Sequence, residues 1–244
     1  MKDYLGVLFD ADNTLFDYDR AEAEALAETL SHAAPEVPRE QSIEAYRAIN
    51  ARYWKLFEEG RIDSAGLQSG RWVDLFRQMG LSADPAAAAA TYITRLSRKA
   101  YLLAGAAETI CELARRVRLC LVTNGLSRVQ RGRLARSGIG GHFTAILISE
   151  ELGIAKPDPR FFQAACNALG LSPARLLCVG DSPAADIAGA RGAGIDACWF
   201  SPGGIPWPGP GDPPQHVIRD IGDVLRLVRM PARAQKNDAS GVYP

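Results

Sequence analysis

Asp10 and Asp12 stand two residues apart directly behind the apolar run Leu5–Phe9, so in extended geometry both carboxylates project to one side of the chain. A pair of acids placed in this way could share a metal. A lone D-x-D reads equally as a solvated loop or a helix cap. What lifts Asp10-Ala11-Asp12-Asn13-Thr14 above that reading is company at the ends of three further apolar runs. Thr123-Asn124-Gly125 follows Leu119–Val122, Ser149-Glu150 follows Ala145–Ile148, and Gly180-Asp181-Ser182 follows Leu176–Val179. In open α/β sheets ligands bind outside the carboxyl ends of the strands, so clusters far apart in sequence can converge there.

The chemistry these residues offer is that of a hard cation and an anion held side by side. Asp10, Asp12, Asp181 and Asp186, together with a backbone carbonyl, supply the hard oxygen ligands that Mg²⁺ prefers, and acids so close together need a cation. Asp186 opens a short helix, where a carboxylate serves as N-cap, as ligand or as both. Thr123 and Asn124 present a hydroxyl and an amide at a strand end, with backbone N–H groups free to face an anion as the next helix begins. Lys156, in Ala155-Lys156-Pro157-Asp158-Pro159, adds a positive charge; alone it reads as a mobile surface lysine, but two nearby prolines argue for a fixed backbone.

The elements that must position these residues follow from the pattern between them. Continuous apolar runs separated by helical segments predict parallel strands buried on both faces, with a fifth at Ala197–Phe200. Asp158-Pro159 and Ser172-Pro173 look like N-cap followed by proline at N1, and Gly138, Gly170 and Gly194 fall where helices should end. This is an α/β doubly wound pattern. The stretch from Phe9 to Leu119 is far longer than a crossover requires, so something is inserted. Helical periodicity over Arg20–Ser31, Arg39–Glu59, Ser64–Met79 and Pro85–Ala100 predicts a helical cap at 17–100, with the core formed by 1–16 and 101–230. Pro202–Pro214 reads as loop, and 231–244 as a frayed tail.

Composition removes competing classes. The 244 residues carry 28 basic and 28 acidic side chains, a formal charge of zero, so no global field favours a nucleic acid polymer or an anionic membrane. Hydrophobic residues at 47% and charged residues at 23% are ordinary for a globular chain. The three histidines are scattered, which sets aside zinc-hydrolase and Ser-His-Asp chemistry. Five cysteines without a C-x-x-C pair read as buried thiols of a reducing compartment, and Leu5–Phe9 is too short for a signal peptide or a membrane span. Cytoplasmic residence is expected.

The succession D-x-D-x-T, T-N-G, Lys-Pro and G-D-x-x-x-x-D, from Asp10 to Asp186, resembles the four motifs of the haloacid dehalogenase superfamily, in members with a helical cap after the first motif. The resemblance implies a Rossmann-like core of strand order 5-4-1-2-3 and phosphoaspartyl chemistry. In it Asp10 is the nucleophile, Asp12 the general acid and base, Thr123 and Lys156 bind phosphate, and Asp181 binds Mg²⁺. Members that displace halide lack the second acid, so Asp12 argues against dehalogenation. Asn50, Tyr53, Trp54, Gly60, Leu67 and Arg71 in the cap, and Ile148–Glu151 in the core, are similar to the pyrimidine 5′-nucleotidase branch, which includes noncanonical nucleotides among its substrates. Trp54 and Arg71 are the cap residues expected at the nucleoside. Tyr53, Trp54 and Trp72 have the aromatic faces to stack a base, but at helical spacing such residues are more often packed in a core.

The expected protein is thus a Mg²⁺-dependent phosphomonoester hydrolase acting on nucleoside monophosphates, a monomer or homodimer whose partner is a small phosphate monoester. A phosphosugar or phosphoglycolate phosphatase and a phosphomutase share the same motifs. A phosphorylation-controlled module resembling a receiver domain is the alternative from another class; the large cap and Asp12 stand against it. Two further patterns carry no chemistry. Gly189–Gly194 runs G-x-x-G-x-G ahead of a strand, the reverse of a dinucleotide fingerprint, and Pro85–Ala90 is an alanine-rich helical stretch.

Overall fold

The computed structural model describes residues 2–228 apart from 34, 36 and 37, so the tail at 231–244 lies outside the described residues. Six parallel strands form one sheet in the order β3-β2-β1-β4-β5-β6. They are β1 (Gly6–Phe9), β2 (Arg118–Thr123), β3 (Ala145–Ile148), β4 (Leu176–Gly180), β5 (Asp196–Phe200) and β6 (His216–Ile218). The expected order of five strands is present, with β1 at the centre between β2 and β4. β6 is a sixth strand beyond the five expected, paired with β5. Its three residues follow the Gly/Pro-rich loop and are too few to show a period.

Alternation along the strands feeds two apolar layers. Val7, Phe9, Leu121 and Val179 pack on one face against α5 (Ala106–Ala114). Leu8, Cys120, Val122 and Cys178 pack on the other against Phe161, Phe162 and Leu169. β3 departs from the expected burial on both faces, because it is an edge strand: Ala145, Ile146 and Leu147 are half-buried.

Between β1 and β2 run α1 (Tyr18–Ala33), α2 (Arg39–Glu58), α3 (Ser64–Met79) and α4 (Pro85–Leu96). Their boundaries reflect local chemistry. The Asp63 side chain accepts from Gly66 N at the start of α3, Asp84 accepts from Ala86 N ahead of Pro85, and Gly80 closes α3 in the left-handed region. α4 stops at Leu96, short of the expected Ala100. These four helices bury their own apolar cluster around Tyr46, Trp72, Leu75 and Tyr92. The chain enters and leaves them side by side: Asp17 N donates to Tyr101 O and Leu103 N to Leu15 O, both at 2.9 Å.

The remaining connections are α6 (Ser127–Ser137), α7 (Ser149–Leu152), α8 (Pro159–Leu169), a π-helical turn at Pro183–Ala188 leading into α9 (Gly189–Gly192), and α10 (Val224–Leu227). Asp158 caps α8 through Arg160 N, with Pro159 next in line. Ser172-Pro173 differs from expectation: it opens only a three-residue 3-10 turn, and the serine side chain makes no capping bond. All five cysteines are free thiols, four of them buried. No helix among the described residues is long and apolar enough to cross a membrane.

Candidate active site

The sequence-predicted core residues meet at the carboxyl ends of β1, β2 and β4. Asp10 directly follows β1, and its N–H donates to Val179 O of the adjacent β4 at 2.9 Å, so the sheet itself fixes the backbone. Asn13 then takes a left-handed φ of 57°, which turns the chain back so that Leu15 N and Phe16 N donate to Ala11 O. The Asn13 side chain accepts from Tyr18 N and Asp19 N at the mouth of α1. The D-A-D-N-T segment is therefore a braced loop.

Lys156 ties the site together. Its ammonium, 2% exposed, donates to Asp10 Oδ1 at 2.7 Å, Asp186 Oδ1 at 2.6 Å and Val122 O at 2.9 Å. Asn124, expected to offer its amide to phosphate, is spent largely on this lysine's backbone. Asn124 Nδ2 donates to Lys156 O at 2.7 Å, and Lys156 N donates to Asn124 Oδ1 at 2.8 Å. Thr123 is buried beside them at the end of β2.

Asp10, Asp181 and Asp186 each place an oxygen within 4.8 Å of the others. The Asp12 carboxylate, grouped with them from sequence, turns elsewhere: it receives Arg133 Nη1 on Oδ1 and Gln130 Nε2 on Oδ2. The expectation that Asp186 opens its helix is corrected as well. Ser182 is the N-cap, its Oγ accepting from Ala185 N at 3.1 Å, and the Asp186 carboxylate reaches back to Ser182 N at 3.0 Å. This is a reciprocal capping arrangement. Gly180 makes it possible, since a Cβ there would lie 2.3 Å from the Asp186 carboxyl.

Burial, then Asp186, Asp181 and Asp12, hold the Asp10 carboxyl well above the usual carboxylate range, with Lys156 opposing them. Burial and then Asp186 push Asp181 up to about 7, again against Lys156. Burial disfavours the Lys156 ammonium, but Asp10 and Asp186 outweigh it and keep the lysine charged. Three carboxyls share one ammonium, so without a further cation they keep protons instead of ionising together. An all-oxygen cluster with carboxyls crowded in this way fits a hard divalent cation such as Mg²⁺.

Above these groups lies a cavity of about 520 Å³, walled by the core residues and by α1, α2 and α3. Trp54 and Arg71 both face it. Arg71 is 2% exposed; it donates to Asn50 Oδ1 at 2.6 Å and stands over the Tyr46 and Tyr92 rings. Asn50 in turn donates to Glu22, whose carboxyl burial raises against the pull of Arg47 and Tyr18. Tyr53 and Trp72 are not in the cavity wall. Trp72 is fully buried among Tyr46, Tyr92 and Phe76, and the Tyr53 hydroxyl donates to Asp74. Gln130 and Arg133 escaped sequence reasoning. They sit in Ser127–Ser137 among Arg128, Arg131 and Arg136, and nothing in that string separates a buried arginine from an exposed one.

A model of haloacid dehalogenase-like hydrolases matches residues 4–194. The magnesium-bound crystal structure of the HAD-hydrolase YfnB from Bacillus subtilis, described as revealing interdomain movement, superposes with a TM-score of 0.83 at 32% identity, over 94% of this chain and 100% of that one. Pyrimidine 5′-nucleotidase PynA of Streptococcus pneumoniae is 35% identical over 205 residues, 82% of this chain and 84% of the relative. A phosphoserine phosphatase of Thermus thermophilus is 35% identical over 189 residues, 75% of each. With the motifs, the sheet order and these matches in agreement, the chain belongs to the haloacid dehalogenase-like hydrolases and is an enzyme of their phosphatase kind.

Proposed function

We propose that the chain hydrolyses small phosphate monoesters through an aspartyl phosphate on Asp10, and that nucleoside monophosphates are its substrate class. The observation that carries the reading is the meeting of Asp10, Thr123, Lys156, Asp181 and Asp186 beneath one cavity, with Asp12 at its side. In the first step an Asp10 carboxylate oxygen attacks phosphorus, the bond from phosphorus to the leaving oxygen breaks, and that oxygen takes a proton from the Asp12 carboxyl. In the second, water attacks the phosphorus of the acyl phosphate and gives a proton to the Asp12 carboxylate. The bond to Asp10 breaks, and inorganic phosphate leaves.

Lys156 and Thr123 hold the phosphoryl oxygens, and Asn124 keeps the lysine in register through its backbone. Asp10, Asp181 and Asp186 would hold Mg²⁺. When bound, the metal supplies positive charge to the phosphoryl oxygens, where such a transition state needs it. Residues 17–100 act as a cap that shields the reaction from water and selects the leaving group.

The nucleotide reading is supported by the cavity's size, by the indole of Trp54 in its wall and by the similarity to PynA. The equal identity to a phosphoserine phosphatase leaves the experiment to decide. Phosphate release should be measured with Mg²⁺ on nucleoside monophosphates, phosphosugars, phosphoglycolate and phosphoserine, with and without a bisphosphate primer. Turnover highest on nucleoside monophosphates is expected. Preference for another class would overturn the substrate assignment, dependence on the primer would indicate a mutase, and a stable phosphoprotein without turnover would indicate a signalling module.

A further inference from the structure

We propose that Gln130 and Arg133 are positioning residues for Asp12, a buried two-point clamp that orients the acid and base carboxylate; this rests on the role given to Asp12 above. The two residues lie three apart on α6, hence on one face, and both are fully buried. Arg133 Nη1 donates to Asp12 Oδ1, while Gln130 Nε2 donates to Asp12 Oδ2 at 2.8 Å and lies 3.2 Å from Thr123 Oγ1. Each oxygen of Asp12 therefore carries one fixed donor. A carboxylate has about four lone-pair sites, so those not taken by the clamp remain for the leaving oxygen or the attacking water. Asp12 keeps a side chain 29% exposed on the cavity side, where that exchange must occur.

Two observations argue that the clamp is more than packing. Arg133 is a costly residue for its place: Nε and Nη2 are buried without a hydrogen-bond partner, and the guanidinium lies over the Phe16 ring at 4.4 Å. An apolar side chain would fill the space without the desolvation penalty, so the contact with Asp12 is what the buried charge achieves. Gly125 supplies the second. A Cβ there would come within 2.3 Å of Gln130 Nε2, and its φ is not in the left-handed region, so this glycine leaves room for the glutamine side chain. The third residue of Thr123-Asn124-Gly125 thus seats the clamp.

The test compares Gln130→Leu, Arg133→Leu, Arg133→Lys and Asp12→Asn on p-nitrophenyl phosphate and on an alkyl phosphate such as glycerol phosphate, with melting temperatures measured alongside. A misplaced acid matters most for the poor leaving group. The leucine variants should lose roughly 100-fold in kcat/KM on the alkyl ester but less than about tenfold on the aryl ester, because kcat/KM covers only the steps up to release of the leaving group and leaves out the acyl-phosphate hydrolysis that both esters share. Arg133→Lys should recover most of the alkyl activity. Equal losses in kcat/KM on both esters, or full alkyl activity in the leucine variants, would overturn the clamp. Should Arg133→Leu fail to fold, Gln130→Leu decides by the same ratio. Asp12→Asn separates the two levels: if it lacks the leaving-group dependence, the acid role falls and the clamp with it. If it has that dependence and the clamp variants do not, only the clamp falls.

Discussion

The Lys156 ammonium sits 2.7 Å from Asp10 Oδ1, although 146 residues separate the two in the chain. Asp10 follows β1, and Lys156 lies in the loop between α7 and α8; Val122 O of the neighbouring β2 accepts from its ammonium, and the reciprocal bonds between Asn124 and the Lys156 backbone fix the approach. Because the ammonium also binds Asp186, one side chain organises both the nucleophile and the acidic cluster.

Lys156→Met should therefore fail in two ways at once. Removing one partner from a buried charge cluster should cost about 3–5 kcal/mol, read from denaturant unfolding. Activity should fall by roughly 1,000-fold on aryl and alkyl phosphates alike, because the lost charge faces the phosphoryl group and not the leaving group. A loss confined to alkyl esters would assign Lys156 a different task.

Metal dependence should vary with pH in a direction fixed by Asp10 and Asp181. Both carboxyls titrate above their ordinary value in the folded chain, Asp181 at about 7 instead of 3.8. Between those values the folded metal-free state holds more protons than the unfolded one, so these groups make stability fall as pH rises through that window. Mg²⁺ needs ionised carboxylates and would remove the crowding. The rise in melting temperature on adding Mg²⁺ should therefore be larger at pH 8 than at pH 5. An increment independent of pH, or full activity after exhaustive chelation, would contradict an acidic metal site.

Much of this site was legible because Asp10, Thr123 and Asp181 stand at sheet ends that the apolar pattern marks, after Gly6–Phe9, closing Arg118–Thr123 and after Leu176–Gly180, while the prolines beside Lys156 mark a fixed loop. The helices between β1 and β2 were legible too, through their period and through caps such as Asp84-Pro85. What was hidden depends on the third dimension. Arg133 is one of several arginines in α6, and only the packing of that helix against Phe16 and Asp12 distinguishes it. Asn124 offers the same amide whether its partner is a ligand or the Lys156 backbone. β6 is three residues long and gains its place from its neighbour β5.

Trp54 and Trp72 make the same point and give a test. Both have helical spacing, yet Trp54 faces the cavity while Trp72 is fully buried in the aromatic cluster. Trp72→Ala should cost about 3–5 kcal/mol of stability and lower activity on every substrate together. Trp54→Ala should reduce kcat/KM for nucleoside monophosphates by roughly tenfold while sparing p-nitrophenyl phosphate. Arg71→Ala should mix both effects, since its guanidinium is buried against Asn50 as well as facing the cavity. Uniform loss in Trp54→Ala, with a lowered melting temperature, would remove Trp54 from the substrate role.

The central claim is that Asp10 becomes phosphorylated and is then released by water. Its most direct test is rapid acid quench of the enzyme during turnover, followed by mass-spectrometric mapping of the phosphorylated peptide. The account predicts a phosphoryl group on Asp10 that appears and decays within a turnover, and none at any site in Asp10→Asn, which should fold normally and be inactive. Phosphorylation of another residue, or an Asp10→Asn variant with activity within about tenfold of the parent, would contradict it.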